Sequence, residues 1–210
     1  MRIPQSERCV DPSVEMLERA TGKGGGPRYA AATPIDLPFR DATFDAVLMT
    51  FVIAHLTDPK TALFDVMRVL KPDGRLAVTT WAASEDSDAF KDAWREVVSE
   101  FAEDEILADA QRRAVPWEER FSDPNALKDA LHEAGLRDIW IERTEYRVET
   151  TPEEYVTGRE TSASGRFLRD MLGEEFWPNF QRRVGDVFAE RFPERFHDFH
   201  QVLVAVGHKG

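Results

Sequence analysis

The chain has 210 residues and a net charge of -12, with 42% hydrophobic and 31% charged residues. These values fit one soluble globular domain with a core of ordinary size, and the negative field opposes binding to a phosphate backbone, so no nucleic-acid partner is expected. One cysteine, Cys9, excludes an intrachain disulfide and suits a reducing cytoplasm; no apolar run is long enough to span a bilayer, so no membrane partner is expected either.

The N-terminal MRIPQSERCVDPS lacks the apolar centre of a secretory signal. Residues 7–10 read as a short strand running into Asp11. Ser13 caps a helix to Ala20 that places Met16, Leu17 and Ala20 on one face. TGKGGGP at 21–27 reads as a turn, Tyr29 to Ala32 as a short strand, and Pro34 to Thr43 as irregular chain. Ala46 to Thr50 lies in a continuous apolar run, the pattern of a strand covered on both faces of a parallel sheet. Asp58-Pro59 opens a helix carrying Leu63, Val66, Met67 and Leu70, which KPDG at 71–74 ends. Arg75 to Trp81 is the next strand. Strand, helix and strand with short connections predict a right-handed parallel crossover.

Beyond Trp81 the pattern changes. SEDSD at 84–88 is an acidic loop or helix start, and Phe90, Trp94, Val97, Val98 and Phe101 mark an amphipathic helix. Residues 103–120 are charged and read as partly irregular. Asp123-Pro124 opens a helix with Leu127, Leu131 and Ala134 inward and Gly135 as its cap. One or two strands are expected in 138–149. Thr151-Pro152-Glu153-Glu154 is a capping box. Phe176, Phe180, Val184, Phe188 and Phe192 recur at fourfold spacing on a long helix. VLVAVG at 202–207 is a final buried strand, expected antiparallel beside Arg75–Thr80.

Three stretches taken in order, VDPSVEMLERA (10–20), LPFRDATFDAVLMTFVIAHL (37–56) and RVLKPDGRLAVTTW (68–81), resemble the class I S-adenosylmethionine-dependent methyltransferase family. The likeness is to its small-molecule branch, which includes the ubiquinone and menaquinone biosynthesis enzymes. It is sharp over 10–81 and architectural over 82–210. The resemblance implies a Rossmann-like α/β three-layer sandwich, mostly parallel with an antiparallel last strand, and a helical cap. It implies S-adenosyl-L-methionine as cofactor, methyl transfer as the activity and a small molecule as acceptor. The chain then divides into a cofactor-side core (7–81), cap or substrate elements (82–122 and 150–198) and C-terminal sheet elements (123–149 and 199–210).

By the same resemblance Asp11, followed by Pro12, accepts hydrogen bonds from the ribose hydroxyls; the alternative is an acid favoured by a helix N-terminus. Met16 packs on the adenine or is plain core. Thr33 and Pro34 stand near the adenine, with Thr33 where the family often has an acid. Thr50 and Phe51 meet the methionine end of the cofactor at the carboxyl end of their strand, where open parallel sheets bind ligands. His55 is a base or gate near the substrate, or a loop histidine with a structural hydrogen bond. No metal site is expected: His197 and His200, with Asp198 between them, lack a third ligand at a characteristic spacing. KGGGP at 23–27 lacks the phosphate-loop pattern and follows Asp11 instead of preceding it.

In dinucleotide-binding sheets a glycine-rich turn lies about 20 residues before the ribose-binding acid. The ten residues MRIPQSERCV ahead of Asp11 hold no glycine. The expectation is an N-terminally truncated domain without the family's first strand and glycine-rich loop. Two facing strand edges are then left unpaired and cofactor binding is impaired. The alternatives are a non-catalytic interaction protein, or a domain completed by a partner chain.

Overall fold

The computed structural model describes residues 7–24, 26–83, 88–192 and 194–210. Its elements are β1 (Arg8–Asp11), α1 (Val14–Gly22), β2 (Arg28–Ala31), β3 (Phe44–Thr50), α2 (Pro59–Val69), β4 (Leu70–Trp81), α3 (Ala89–Ser99), α4 (Asp104–Ala114), α5 (Glu118–Phe121), α6 (Pro124–Glu133), β5 (Leu136–Thr150), α7 (Pro152–Glu160), α8 (Ala163–Arg191) and β6 (Phe196–Lys209). A 3-10 turn, Ile53–His55, follows β3.

The strands form two sheets. β1 and β2 pair in parallel, and a second sheet has the order β3-β4-β6-β5. β3 and β4 are parallel neighbours, with Val47 opposite Leu76 and Thr50 opposite Thr79. β6 runs antiparallel to both β4 and β5, so β3, β4 and β5 point one way and the last strand points the other. Both the crossover and the antiparallel final strand follow the sequence pattern. Among the described residues β3 pairs only with β4, and β1 only with β2.

Alternation along the strands sends Met49, Leu76, Val78, Leu203 and Ala205 to one face, where they meet Leu63, Val66 and Met67 of α2, Phe121 of α5, and Leu127 and Leu131 of α6. The expectation that β3 is covered on both faces is corrected here. Leu48, on the opposite face, is 72% exposed, and Trp140 of β5 shares that openness. An edge strand with one buried face needs apolar residues only at alternate positions, and the unbroken run AVLM concealed that period.

A second cluster joins Trp94, Val97 and Val98 of α3, Tyr155 of α7, and Leu168, Trp177, Phe180, Val184, Val187 and Phe188 of α8 to Phe196 at the start of β6. Two surface clamps add to it: Arg183 to Glu100, and Arg191 to Glu96. The fourfold phenylalanine pattern needs one correction, because Phe176 is exposed and Trp177 takes the inward place. α8 is kinked at Gly173, whose φ of 63° is left-handed, and the kink resets the helical phase ahead of the aromatic stretch. Residues 103–120 are more regular than expected, since α4 and α5 occupy most of them. Four of the five residues of the acidic stretch, 84–87, lie outside the described residues; the fifth, Asp88, caps α3 by accepting from the Lys91 amide.

Caps hold where the sequence places them. Ser13 accepts from the Met16 amide, Asp58 from Thr61 and Asp123 from Asn125 and Ala126. Thr151 and Glu154 form the reciprocal box. Gly135 lies one residue past the cap Ala134, with φ +99°. KPDG forms no separate turn but the irregular opening of β4. There Asp73 has φ 60°, and a Cβ on Gly74 would meet the Lys71 carbonyl oxygen at 2.8 Å.

Arg68 ties the loop before β3 to α2. It donates to Asp65, Asp41 and the carbonyls of Phe39 and Leu37, while Asp65 accepts from the Leu37 amide at 2.6 Å. Burial works against ionisation of Asp65, yet the bonds from Arg68 and Leu37 prevail and hold its carboxyl below the ordinary 3.8. A depressed folded value means that this stabilisation is complete above pH 3.8 and is lost as pH falls through the lower folded value. Asp65→Asn is therefore expected to be less stable than the parent chain near neutrality, with the two converging in acid. Urea midpoints across the pH range check this, and a gap independent of pH would show that the carboxylate charge is not the cause.

Candidate functional site

The predicted cofactor residues lie at strand ends and in the loops after them. Asp11 closes β1, half-buried, and its Oδ1 accepts the Ser13 amide at 2.7 Å. The amide contact turns the chain into α1 and fixes the carboxylate at the strand terminus. Pro12 is exposed between the two elements. Met16 is 54% exposed, so it is not core, which corrects its place on the inward face of α1; Leu17 alone is buried there. Thr33 is exposed and Pro34 half-buried in the loop after β2, where the Thr33 carbonyl accepts from Asp36.

Thr50 is the last residue of β3. Phe51 follows with φ 53°, a left-handed backbone rarely taken by a bulky side chain. Two bonds hold it there, from its amide to the Thr79 carbonyl at 2.9 Å and to the Thr79 hydroxyl at 3.2 Å. The turn carries the Phe51 ring across to Trp81 at the end of β4, with centroids 4.5 Å apart. His55 ends the 3-10 turn, exposed, its amide donating to Val52. The adjacent Ala54 carbonyl accepts from the Trp117 amide, which fastens this loop to the start of α5.

A residue pair absent from the expected site stands beside it. Trp81 lies 5.2 Å from the ring of His200, and His200 Nε2 is 2.8 Å from Asp198 Oδ2. Sequence reading weighed these two residues only as metal ligands. A strand alternates its faces, so His197 and His200, three apart on β6, point to opposite sides and cannot share an ion. Among the described residues no group of three metal-ligating side chains converges. Two polar atoms near this end of β6 are buried without a partner, Asp198 Oδ1 and the Tyr155 hydroxyl. Burial pushes the Tyr155 phenol well above its usual range.

Residues 3–78 match the model of the methyltransferase domain family. Over that segment the chain is similar to methyltransferase domains. It is 45% identical over 75 residues to the ubiquinone/menaquinone biosynthesis C-methyltransferase of Haemophilus ducreyi, covering 33% of this chain and 29% of that protein. It is 31% identical over 143 residues to the enzyme of the same name from a Caulobacter strain, covering 63% of this chain and 55% of that one. The chain therefore spans between about a third and about half of the length of these relatives. The fold is shared with the YcgJ protein of Bacillus subtilis, with TM-score 0.55, 20% identity, and 96% and 81% of the two chains covered. It is shared also with phosphoethanolamine N-methyltransferase 2 of Haemonchus contortus, with TM-score 0.52, 17% identity, and 96% and 43% covered.

Within the matched segment, Asp11 and Thr50–Phe51 lie at the carboxyl ends of β1 and β3. A carboxylate at a strand end is chemically suited to vicinal hydroxyls, and a strained turn exposes backbone polar groups to a ligand. Among the described residues no helix is long and apolar enough to cross a membrane.

Proposed function

We propose that this chain transfers the methyl group of S-adenosyl-L-methionine to a small-molecule acceptor, in the cytoplasm. The observation that carries the reading is the placement of Asp11 and Phe51 at the carboxyl ends of parallel strands within the segment matched to the methyltransferase domain. Asp11 with Pro12 and Met16 receives the ribose and adenine side, Thr33 and Pro34 flank the adenine, and Thr50 and Phe51 face the methionine end. The sulfonium is already a good leaving group, so alignment of acceptor and methyl supplies much of the rate. The elements after Trp81, with α3, α4, α7 and α8, form the acceptor cap, and their aromatic content suits an apolar small molecule.

The 210-residue chain by itself is expected to bind the cofactor weakly, because the ten residues before Asp11 include no glycine-rich turn. Each hydrogen bond missing to a charged ligand costs about 1.5–3 kcal/mol, and two or three of them move a dissociation constant from micromolar to millimolar. Calorimetric titration with S-adenosyl-L-methionine tests this beside a version that carries a strand and a glycine-rich loop ahead of Arg8. Micromolar binding is expected only with the extension, and Asp11→Ala in that version is expected to weaken it by roughly tenfold to a hundredfold. Unaltered affinity in Asp11→Ala would remove Asp11 from the site.

A second reading, an interaction protein or a domain completed by a partner chain, rests on the open side of β3. That strand pairs only with β4 among the described residues, and Leu48 is exposed on it. Co-purification of a partner whose removal leaves Leu48 accessible to solvent would favour this reading.

A further inference from the structure

We propose that His200, held by Asp198, is the group that takes the proton from the methyl acceptor, and that the acceptor is an aromatic hydroxyl stacked against Trp81. The proposal deepens the methyl-transfer reading and rests on it. The register of the sheet carries the argument. Trp81 pairs with Val202, so it shares a face with His200, two residues away on β6. His200 pairs in turn with Tyr146 on β5. Phe51, Trp81, His200 and Tyr146 thus make a row across the ends of four strands, and the three aromatic rings are 38%, 40% and 59% exposed. The rings are tilted, by 34° between Phe51 and Trp81 and 47° between Trp81 and His200, so the row offers exposed aromatic faces and not one plane. A planar aromatic ligand stacks on the Trp81 face, and Phe51 places one end of the row at the expected methionine end of the cofactor.

The imidazole is oriented for proton transfer. Its Nε2 stands 2.8 Å from Asp198 Oδ2, an ion-pair contact in which the carboxylate favours a proton on that nitrogen and leaves Nδ1 as the basic one. The His200 side chain is 34% exposed and reachable, while that of Asp198 is 10% exposed. A buried carboxylate beside a histidine fixes its tautomer and stabilises the imidazolium that forms. Asp198 Oδ1 has no partner in the described structure, so the carboxylate is not spent on another ion pair. Among the described residues, the ionisable groups near this pair include Tyr146 across the sheet and Tyr155 on α7. Tyr155 also senses Asp198, Arg159, and Asp88 and Arg95 at α3.

The step balances. The acceptor oxygen forms a bond to the methyl carbon, and the carbon–sulfur bond breaks with its pair going to sulfur. The hydroxyl proton passes to Nδ1. The positive charge leaves the sulfonium and ends on the imidazolium, next to Asp198.

The test uses 4-nitrophenol, whose phenolate absorbs visibly, added to the full chain about one pH unit below its ionisation in water. Binding is read as quenching of tryptophan fluorescence, and proton transfer as the phenolate band. The bound phenol is expected to have an ionisation constant raised about tenfold over that in water. His200→Gln and Asp198→Asn are expected to abolish that rise while retaining binding, Trp81→Ala to weaken binding about tenfold, and His197→Ala, on the opposite face, to change neither. Circular dichroism confirms that each variant folds, and His200→Ala provides a second removal of the base. No binding, a bound phenol as weakly acidic as in water, or a rise that survives both His200 variants each overturns the proposal. The cofactor titration is separate. Phenolate formation without cofactor binding by either version would sink methyl transfer and leave the pair standing as a proton acceptor, whereas cofactor binding without phenolate formation would do the reverse.

Discussion

Phe180→Ala is expected to destabilise the cluster around α8 by about 3–5 kcal/mol. Phe180 is fully buried, and its ring meets Trp177 stacked at 5.1 Å and Trp94 and Phe101 edge-on at 5.5 and 5.4 Å. Removing it opens a ring-sized cavity between α3 and α8 that large, stiff neighbours cannot close. Part of the loss lies beyond area burial, because edge-to-face and stacked pairs add about 0.5–1.5 kcal/mol each. The surface clamps Arg183–Glu100 and Arg191–Glu96 join the same two helices but are too exposed to compensate. The measurement is urea unfolding followed by tryptophan fluorescence, since Trp94 and Trp177 report on this cluster directly. A loss under about 1 kcal/mol would mean that α3 and α8 repack freely and that the cap is not a fixed wall for an acceptor.

How far the sequence discloses this arrangement depends on whether the signal is local. Asp58-Pro59, Asp123-Pro124 and Thr151–Glu154 carry their helix starts in two to four residues, and each cap forms as read. The parallel β3–β4 pair and antiparallel β6 were legible because apolar strands around one helix admit few topologies. β3 misled for the opposite reason. Its contiguous AVLM looks buried on two faces, but burial depends on what packs above it, and Leu48 is left in water. Met16 failed in the same way: helical spacing predicts a stripe, and α1 buries only Leu17. The pair Asp198–His200 is visible in sequence as two residues of a strand, yet its meaning comes from Trp81, more than a hundred residues earlier. One sequence signal did exist: residues two apart on a strand share a face, so a histidine and an aspartate at that spacing can bond, whereas His197 and His200 cannot converge.

Leu203→Ala is expected to cost about 2–5 kcal/mol and to act on the whole chain, not on one cluster. Leu203 is fully buried at the centre of β6, opposite Thr80 of β4 and Arg143 of β5. Its side chain enters the cluster built from α2, α5 and α6. The same strand begins with Phe196, which belongs to the aromatic cluster of α3, α7 and α8. Among the described residues β6 therefore contributes to both clusters, and it carries Asp198 and His200 between them. A cavity at Leu203 weakens the sheet and loosens the frame that holds His200 against Trp81. Phe180→Ala, by contrast, leaves the contacts of Leu203 untouched, and among the described residues the two clusters share no member, so a double variant should lose close to the sum of the two single losses. Hydrogen exchange separates the two cases. Phe180→Ala should raise exchange in α3 and α8 while β4 and β6 stay protected, and Leu203→Ala should raise it in β4, β5, β6 and α8 together. Exchange confined to the sheet in Leu203→Ala would show that the two clusters open independently, and that β6 does not transmit stability from the sheet to the helices over it.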